Sequence, residues 1–187
     1  DTLFNIQILF KQRSPNKTGA LTINFINTAN EVLGMESAHS FLVEWTANFV
    51  KNKDVVARKI ENIEKNKDGF DLYVKFKDKE QFFIISPSIN NLDLIIPKLK
   101  SDSYFCIVIL NSGENLDSLI KNWRRLIEFK FLSVIFVNPF SQLDKKWIIY
   151  PYTHHKICDE SSLKTGLKSM FEMVEPIEEK ELIAKIS

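Results

Sequence analysis

The alternation of apolar and polar residues is clearest between residues 70 and 88. Every second residue from 72 to 76 is apolar, and this period of two predicts a half-buried strand. A continuous apolar run follows at residues 82–85 and is typical of a strand buried on both faces. The Lys-Asp pair at 77–78 predicts a tight turn between them. We therefore interpret this segment as an antiparallel β-hairpin, preceded by a strong Asp-Gly turn signal at 68–69.

Two further apolar runs predict the centre of a sheet. Residues 103–110 and 132–137 are almost continuously apolar, which favours buried parallel strands. Between them, residues 115–130 carry apolar side chains at helical spacing, so the three segments form a right-handed βαβ unit. Similar spacing predicts helices at about 35–51 and 160–175. The sequence therefore predicts the α/β class, with a mixed central sheet flanked by helices.

The rest of the chain is assigned around this sheet. Residues 55–65 are interpreted as the strand before the hairpin, with a turn at 65–68. Residues 1–27 contain two strand-like segments and are treated as an N-terminal β extension. Residues 28–176 form the predicted α/β domain, and residues 177–187 form a charged C-terminal tail with a short helix.

The order of one helix, three strands, a helix and a strand resembles the core of the PD-(D/E)XK nuclease superfamily, the restriction-endonuclease-like fold. In that family an Asp near the start of one strand and a Glu-x-Lys on the next strand converge. The carboxylates hold Mg²⁺, and the Lys helps to activate water or to stabilise charge. The resemblance covers roughly Gly34 to Val137, and it implies an αβββαβ core.

Carried over residue by residue, the resemblance gives a degenerate catalytic site. Asp71 matches the family Asp, and the predicted hairpin pairing places it across from Ile84 on the same face. Ile84 therefore stands at the Glu position and Ser86 at the Lys position. A slipped register would put Ser86 and Ser88 there instead. Neither register supplies a carboxylate or an ammonium group, so no metal site is predicted.

The first predicted helix adds two candidates. Members of the superfamily often carry a Glu there, and Glu36 and Glu44 are the residues that this helix offers. His39, on the same helix, is interpreted as a surface or boundary residue.

Charge and composition limit the remaining function classes. A formal net charge of +1 gives no overall electrostatic case for nucleic acid. With only five glycines, the chain contains neither of the common Gly-rich phosphate-binding motifs. A local basic face remains open. Its candidates for nucleic-acid binding are Arg58, Lys59, Arg124 and Arg125, with Lys11 and Arg13. Three aromatic residues could stack on bases: Tyr73, Trp123 and Trp147.

Cysteine and histidine residues point to no metal or disulfide framework. Cys106 lies in an apolar strand and is expected to be a buried thiol, and Cys158 is far from it in sequence. A reducing, cytoplasmic compartment follows as an expectation. His154 and His155, near Cys158, lack a second pair of ligands, so a surface loop is predicted there. No apolar stretch reaches membrane-spanning length.

The expected function is that of a catalytically inactive nuclease-like domain that binds nucleic acid, a partner protein or a second copy of itself, with no cofactor. One alternative is an active Mg²⁺-dependent nuclease in which Asp71 works with Glu36 or Glu44. Another is an unrelated α/β scaffold or ligand-binding protein. In that case a cleft would lie at the carboxyl edge of the sheet, beside Asn111 or Asn138.

Overall fold

A six-stranded mixed sheet forms the centre of the computed structural model, which describes residues 37–89 and 92–187. The strands lie side by side in chain order: β1 (Ile60–Lys67), β2 (Phe70–Phe76), β3 (Glu80–Ile85), β4 (Tyr104–Leu110), β5 (Leu132–Val137) and β6 (Lys146–Ile149). β1, β2 and β3 are antiparallel, β3 to β5 are parallel, and β6 is antiparallel to β5. The predicted α/β class, the antiparallel hairpin and the parallel central strands are confirmed.

Helices cover both faces of this sheet. In chain order they are α1 (residues 37–54), α2 (Leu92–Ile95, continued by a 3₁₀ turn, Ile96–Lys98), α3 (Gly113–Lys121), α4 (Trp123–Leu126), α5 (Pro151–Ile157), α6 (Glu160–Glu172) and α7 (Glu179–Ile186). The predicted helix at 115–130 is two helices, separated at Asn122. Within the described ranges, no helix has the length and apolar character needed to cross a membrane. The predicted N-terminal strands, residues 1–27, lie outside the described residues.

Several local predictions need correction. The strand predicted at 55–65 begins only at Ile60, because α1 continues to Asp54 and a turn follows. The Asp54 carboxylate closes this turn by accepting hydrogen bonds from the backbone N–H groups of Lys59 and Ile60, at 2.9 and 2.8 Å. The segment around His154 is helix α5, not a surface loop, and it begins at Pro151, whose fixed φ suits the first helical position.

The predicted Asp-Gly turn joins β1 to β2. Asp68 and Gly69 have φ values of 53° and 80°, and two successive positive φ values are those of the type I′ turn that matches strand twist. β1 extends to Lys67, so the turn occupies 68–69 and not 65–68. The hairpin that follows is therefore part of one continuous antiparallel unit, in which β2 lies between β1 and β3.

The sheet has a separate core on each face. The first core packs the sheet against α2, α3, α4 and α6, and its main sheet residues are Ile84, Phe105, Ile107, Ile109, Val134, Phe136 and Trp147. The second core packs the other face against α1 and α7, and its main sheet residues are Leu72, Val74, Phe83, Ile85, Val108, Leu110 and Val137. Burial on both faces explains why β4 and β5 are almost continuously apolar.

Candidate functional site

The pairing of β2 with β3 follows the predicted register. β2 pairs with β3 from Leu72↔Phe83 to Lys75↔Glu80, and the slipped alternative does not occur there. Asp71 lies one residue beyond the last of these pairs. β3 lies between β2 and the parallel strand β4, and Asp71 therefore lies near the carboxyl end of β3.

Both carboxylate oxygens of Asp71 are engaged by the protein. Oδ1 accepts a hydrogen bond from Nε2 of His39, at 2.9 Å, and Oδ2 accepts one from the backbone N–H of Ile85, at 2.7 Å. A carboxylate only accepts, so the proton in the first bond belongs to the imidazole. The Asp71 side chain is 24% exposed and that of His39 is 41% exposed. Asp71 thus joins the first helix to the end of β3.

The two positions at which the resemblance expects Glu and Lys carry no metal-binding side chain. Ile84 is 8% exposed and packs in the first core, on the face away from α1. The Asp71 carboxylate reaches a side chain of α1, which packs on the other face, so the expectation that Asp71 and Ile84 share a face is wrong. Ser86 donates from Oγ to the carbonyl oxygen of Ser88, at 2.6 Å. The Ser86 hydroxyl is therefore occupied by the backbone two residues further along the chain.

The first helix contributes His39 to this site and not a glutamate. Glu44 pairs with Lys65 of β1, and Glu36 lies outside the described residues. His39 was interpreted as a boundary residue, and no local pattern identifies its role, because its partner is 32 positions away in the sequence. Only the packing of α1 on β2 and β3 brings the two side chains together.

The donor set at Asp71 does not fit a hard divalent cation. Such ions take oxygen ligands, and Mg²⁺ in proteins is held by about one or two carboxylates plus water or phosphate oxygens. Here the carboxylate lies beside an imidazole and a backbone N–H group, which offer protons to it. Across residues 37–89 and 92–187, no three His, Cys, Asp or Glu side chains are grouped so that they could hold a metal ion.

Among the described residues, the basic and aromatic candidates do not form one surface, and Lys11 and Arg13 lie outside the described residues. Arg58 and Lys59 follow α1, whereas Arg124 and Arg125 lie on α4, which packs on the opposite face of the sheet. Lys59 and Arg125 each pair with an exposed aspartate, at 3.4 and 2.6 Å. The three aromatic residues proposed for base stacking are buried: Tyr73, Trp123 and Trp147.

The carboxyl edge of the central strands is filled by the chain itself. The Asn111 amide donates to the carbonyl oxygens of residues 171 and 174, at 3.1 and 2.6 Å, and its Oδ1 accepts from Nε1 of Trp147, at 2.7 Å. Asn138 donates to the carbonyl oxygen of Glu175, at 2.9 Å. These two residues anchor the segment that leads into α7. Asn138 also lines a shallow cavity of about 430 Å³ beside this segment, whereas Asn111 is fully buried.

Comparisons of the chain with protein-family models, with curated proteins and with solved structures each found no match. The function is therefore inferred from the geometry around Asp71.

Proposed function

We propose that this chain is a nuclease-like domain that has lost its metal site and acts by binding nucleic acid or a partner protein. One observation carries the proposal. Both oxygens of the Asp71 carboxylate accept hydrogen bonds from the protein, at 2.9 and 2.7 Å. Ile84 and Ser86, where the resemblance expects Glu and Lys, supply neither a ligand nor a charge.

The order of the elements supports the nuclease-like part of this proposal. α1 is followed by the antiparallel strands β1 to β3, then by the short helix α2 and by β4, which is parallel to β3. This is an αβββαβ order with α1 on one face of the sheet and α2 on the other.

Loss of catalysis follows from the chemistry that this hairpin end offers. Metal-dependent hydrolysis needs an ion that is positioned by several oxygen ligands and a charged group that stabilises the transition state. Asp71 could supply at most one carboxylate, and the hairpin lysines, Lys75 and Lys77, lie toward its other end. The active alternative would recruit Glu44, but this side chain is paired with Lys65.

The proposal is tested by an endonuclease assay on single- and double-stranded DNA and RNA with Mg²⁺ or Mn²⁺, run beside Asp71→Ala. We expect no cleavage by either protein. The same substrates, labelled and titrated without metal, report binding, which should weaken as salt rises if phosphates are contacted.

Metal-dependent cleavage that Asp71→Ala abolishes would refute the proposal and favour the active nuclease. Absence of cleavage together with salt-sensitive binding would support a nucleic-acid-binding domain. Absence of both would leave binding to a partner protein as the function.

A further inference from the structure

A cleft lies at the end of the sheet away from Asp71. It has a volume of about 450 Å³, and its floor includes Phe83, Ser133 and Ile135. The carboxyl-terminal turns of α1 form one wall, from Phe49 onward. His39 and Lys53 are fourteen residues apart on α1, which corresponds to about 21 Å of helix. The cleft is therefore separate from the degenerate nuclease site.

Lysine side chains dominate the charge of this cleft. Four lysines and two aspartates line it: Lys53, Lys59, Lys79, Lys130, Asp54 and Asp78. Asp54 accepts from two backbone N–H groups, and Asp78 pairs with Lys59. In the part of the chain that the structure describes, no carboxylate lies within ion-pair distance of the other three lysines. The lining therefore carries a net charge of +2, and three of its lysines have no anionic partner among the described residues.

The lysines come from different elements and converge on the same region. Lys53 belongs to α1, Lys79 to the loop between β2 and β3, and Lys130 to the segment before β5. All three side chains line the same cleft, so charges from three parts of the chain meet there.

Aromatic rings stand beside these charges. Nζ of Lys79 lies 4.8 Å from the ring centroid of Tyr104, and Nζ of Lys130 lies 5.2 Å from that of Phe131. Tyr104 and Phe131 themselves contact each other, with centroids 4.6 Å apart. Tyr150 also lines the cleft and is 47% exposed. One side of its ring stacks against His154, with centroids 6.2 Å apart, so a base would use the opposite side.

We propose that this cleft binds a nucleotide, with the phosphate held by Lys53, Lys79 and Lys130 and the base stacked on Tyr150. The inference rests on the proposed binding function and gives it a ligand class. A cavity of this volume suits one small molecule, and an unpaired base stacks on aromatic rings regardless of its sequence. The ligand is either a free mononucleotide or one unpaired nucleotide of a single strand.

Two probes distinguish these sources: adenosine 5′-monophosphate by calorimetry, and a fluorescein-labelled twelve-nucleotide oligo(dT) by anisotropy, both at low salt. The test variant is Lys79→Gln/Lys130→Gln. Its matched control is Lys164→Gln/Lys168→Gln, which removes the same charge from exposed positions on α6. We expect the test variant to weaken binding about tenfold and the control less than about twofold. Tyr150→Ala should weaken binding by about fivefold or more.

Measurable binding of the mononucleotide that depends on the cleft lysines would assign the site to free nucleotides. Binding of the oligonucleotide alone, with the same dependence, would assign it to a single strand. Absence of binding by both probes, or equal losses in the test and control variants, would overturn the inference. Circular dichroism of each variant ensures that a loss of binding is not a loss of fold. Metal-dependent cleavage would refute the proposed function and leave this result unchanged.

Discussion

Asp71 connects α1 to the sheet, so replacing it with alanine should destabilise the protein. This expectation distinguishes a structural role of Asp71 from a role in metal binding. A carboxylate whose role is to bind a metal commonly lowers the stability of the metal-free protein, so replacing it stabilises that protein. A carboxylate that joins two elements does the opposite when it is removed.

The magnitude follows from the two hydrogen bonds. Asp71→Ala leaves the backbone N–H of Ile85, a residue that is 2% exposed, without its partner, and an unpaired buried donor costs about 1–3 kcal/mol. The bond from His39 is partly exposed and adds about 0.5–1 kcal/mol. We therefore expect Asp71→Ala to lower the free energy of unfolding by about 2–3 kcal/mol, and His39→Ala by about 0.5–1 kcal/mol.

Urea denaturation followed by circular dichroism measures these changes. With a slope of about 2 kcal/mol per molar urea, the midpoint of Asp71→Ala should fall by about 1 M. Asp71→Asn should lie between alanine and wild type, because one amide oxygen cannot replace both carboxylate oxygens. The double variant with His39→Ala should show a coupling of about 0.5–1 kcal/mol.

Magnesium supplies the second part of this test. An ion that binds the folded state with a Kd of about 1 mM would stabilise it by about 1.4 kcal/mol when present at about 10 mM. We expect no such shift in the wild-type protein. The reasoning is refuted if Asp71→Ala is as stable as wild type or more stable. It is also refuted if Mg²⁺ raises the wild-type midpoint and leaves that of Asp71→Ala unchanged.

Three further predictions concern the core. Asn111→Ala should cost about 2–4 kcal/mol in a urea titration, because it removes two hydrogen bonds to the segment before α7 and one from the indole of Trp147 on β6. A cost below about 1 kcal/mol would mean that this anchor is unimportant. Ile107→Ala should cost about 2–5 kcal/mol in the same assay, since the side chain is 1% exposed, and an unchanged midpoint would make β4 peripheral. Cys106 should resist a thiol reagent at pH 8 until the protein unfolds, whereas Cys158 should react in the native state. Folding raises the pKa of the Cys106 thiol to about 12. The contribution of this thiol to the free energy of unfolding is therefore complete below about pH 8.5 and is lost as the pH rises toward 12. Urea midpoints measured between pH 8 and 11 would reveal this loss.

The parts of the fold that could be predicted from the sequence are those in which burial leaves a local pattern. The alternation in β2 and the apolar run in β3 correctly predicted the register of the hairpin, in which Leu72 pairs with Phe83. The continuous apolar segments of β4 and β5 correctly predicted a parallel pair. In each case the side-chain period reports directly on which faces are buried.

The predicted boundaries of helices and strands are wrong where polar side chains determine the backbone conformation. α1 continues to Asp54, and the strand starts after the Asp54 carboxylate has closed a turn. α5 carries few apolar residues, and Pro151 is the one that is buried. A helix with so little buried surface leaves no apolar period, so its sequence is indistinguishable from a loop by pattern alone.

The candidate sites were harder to predict because their residues are distant in the sequence. His39 contacts Asp71 across 32 positions. The lysines of the cleft come from α1, from the loop after β2 and from the residue before Phe131. Exposed lysines carry no periodic signal, since most are simply solvated. Their convergence depends on the sheet order and on where α1 ends.

The pairing of His39 with Asp71 also explains how the hairpin accommodates this aspartate without a metal. In a metal site, neighbouring carboxylates repel one another until a cation neutralises them. Here the carboxylate accepts hydrogen bonds from an imidazole N–H and a backbone N–H, so neither oxygen needs an ion as its partner. The substitutions Ile84→Glu and Ser86→Lys would therefore not create a metal site by themselves. Ile84 packs in the opposite core, and a glutamate there would be a buried charge far from the α1 side on which Asp71 is held.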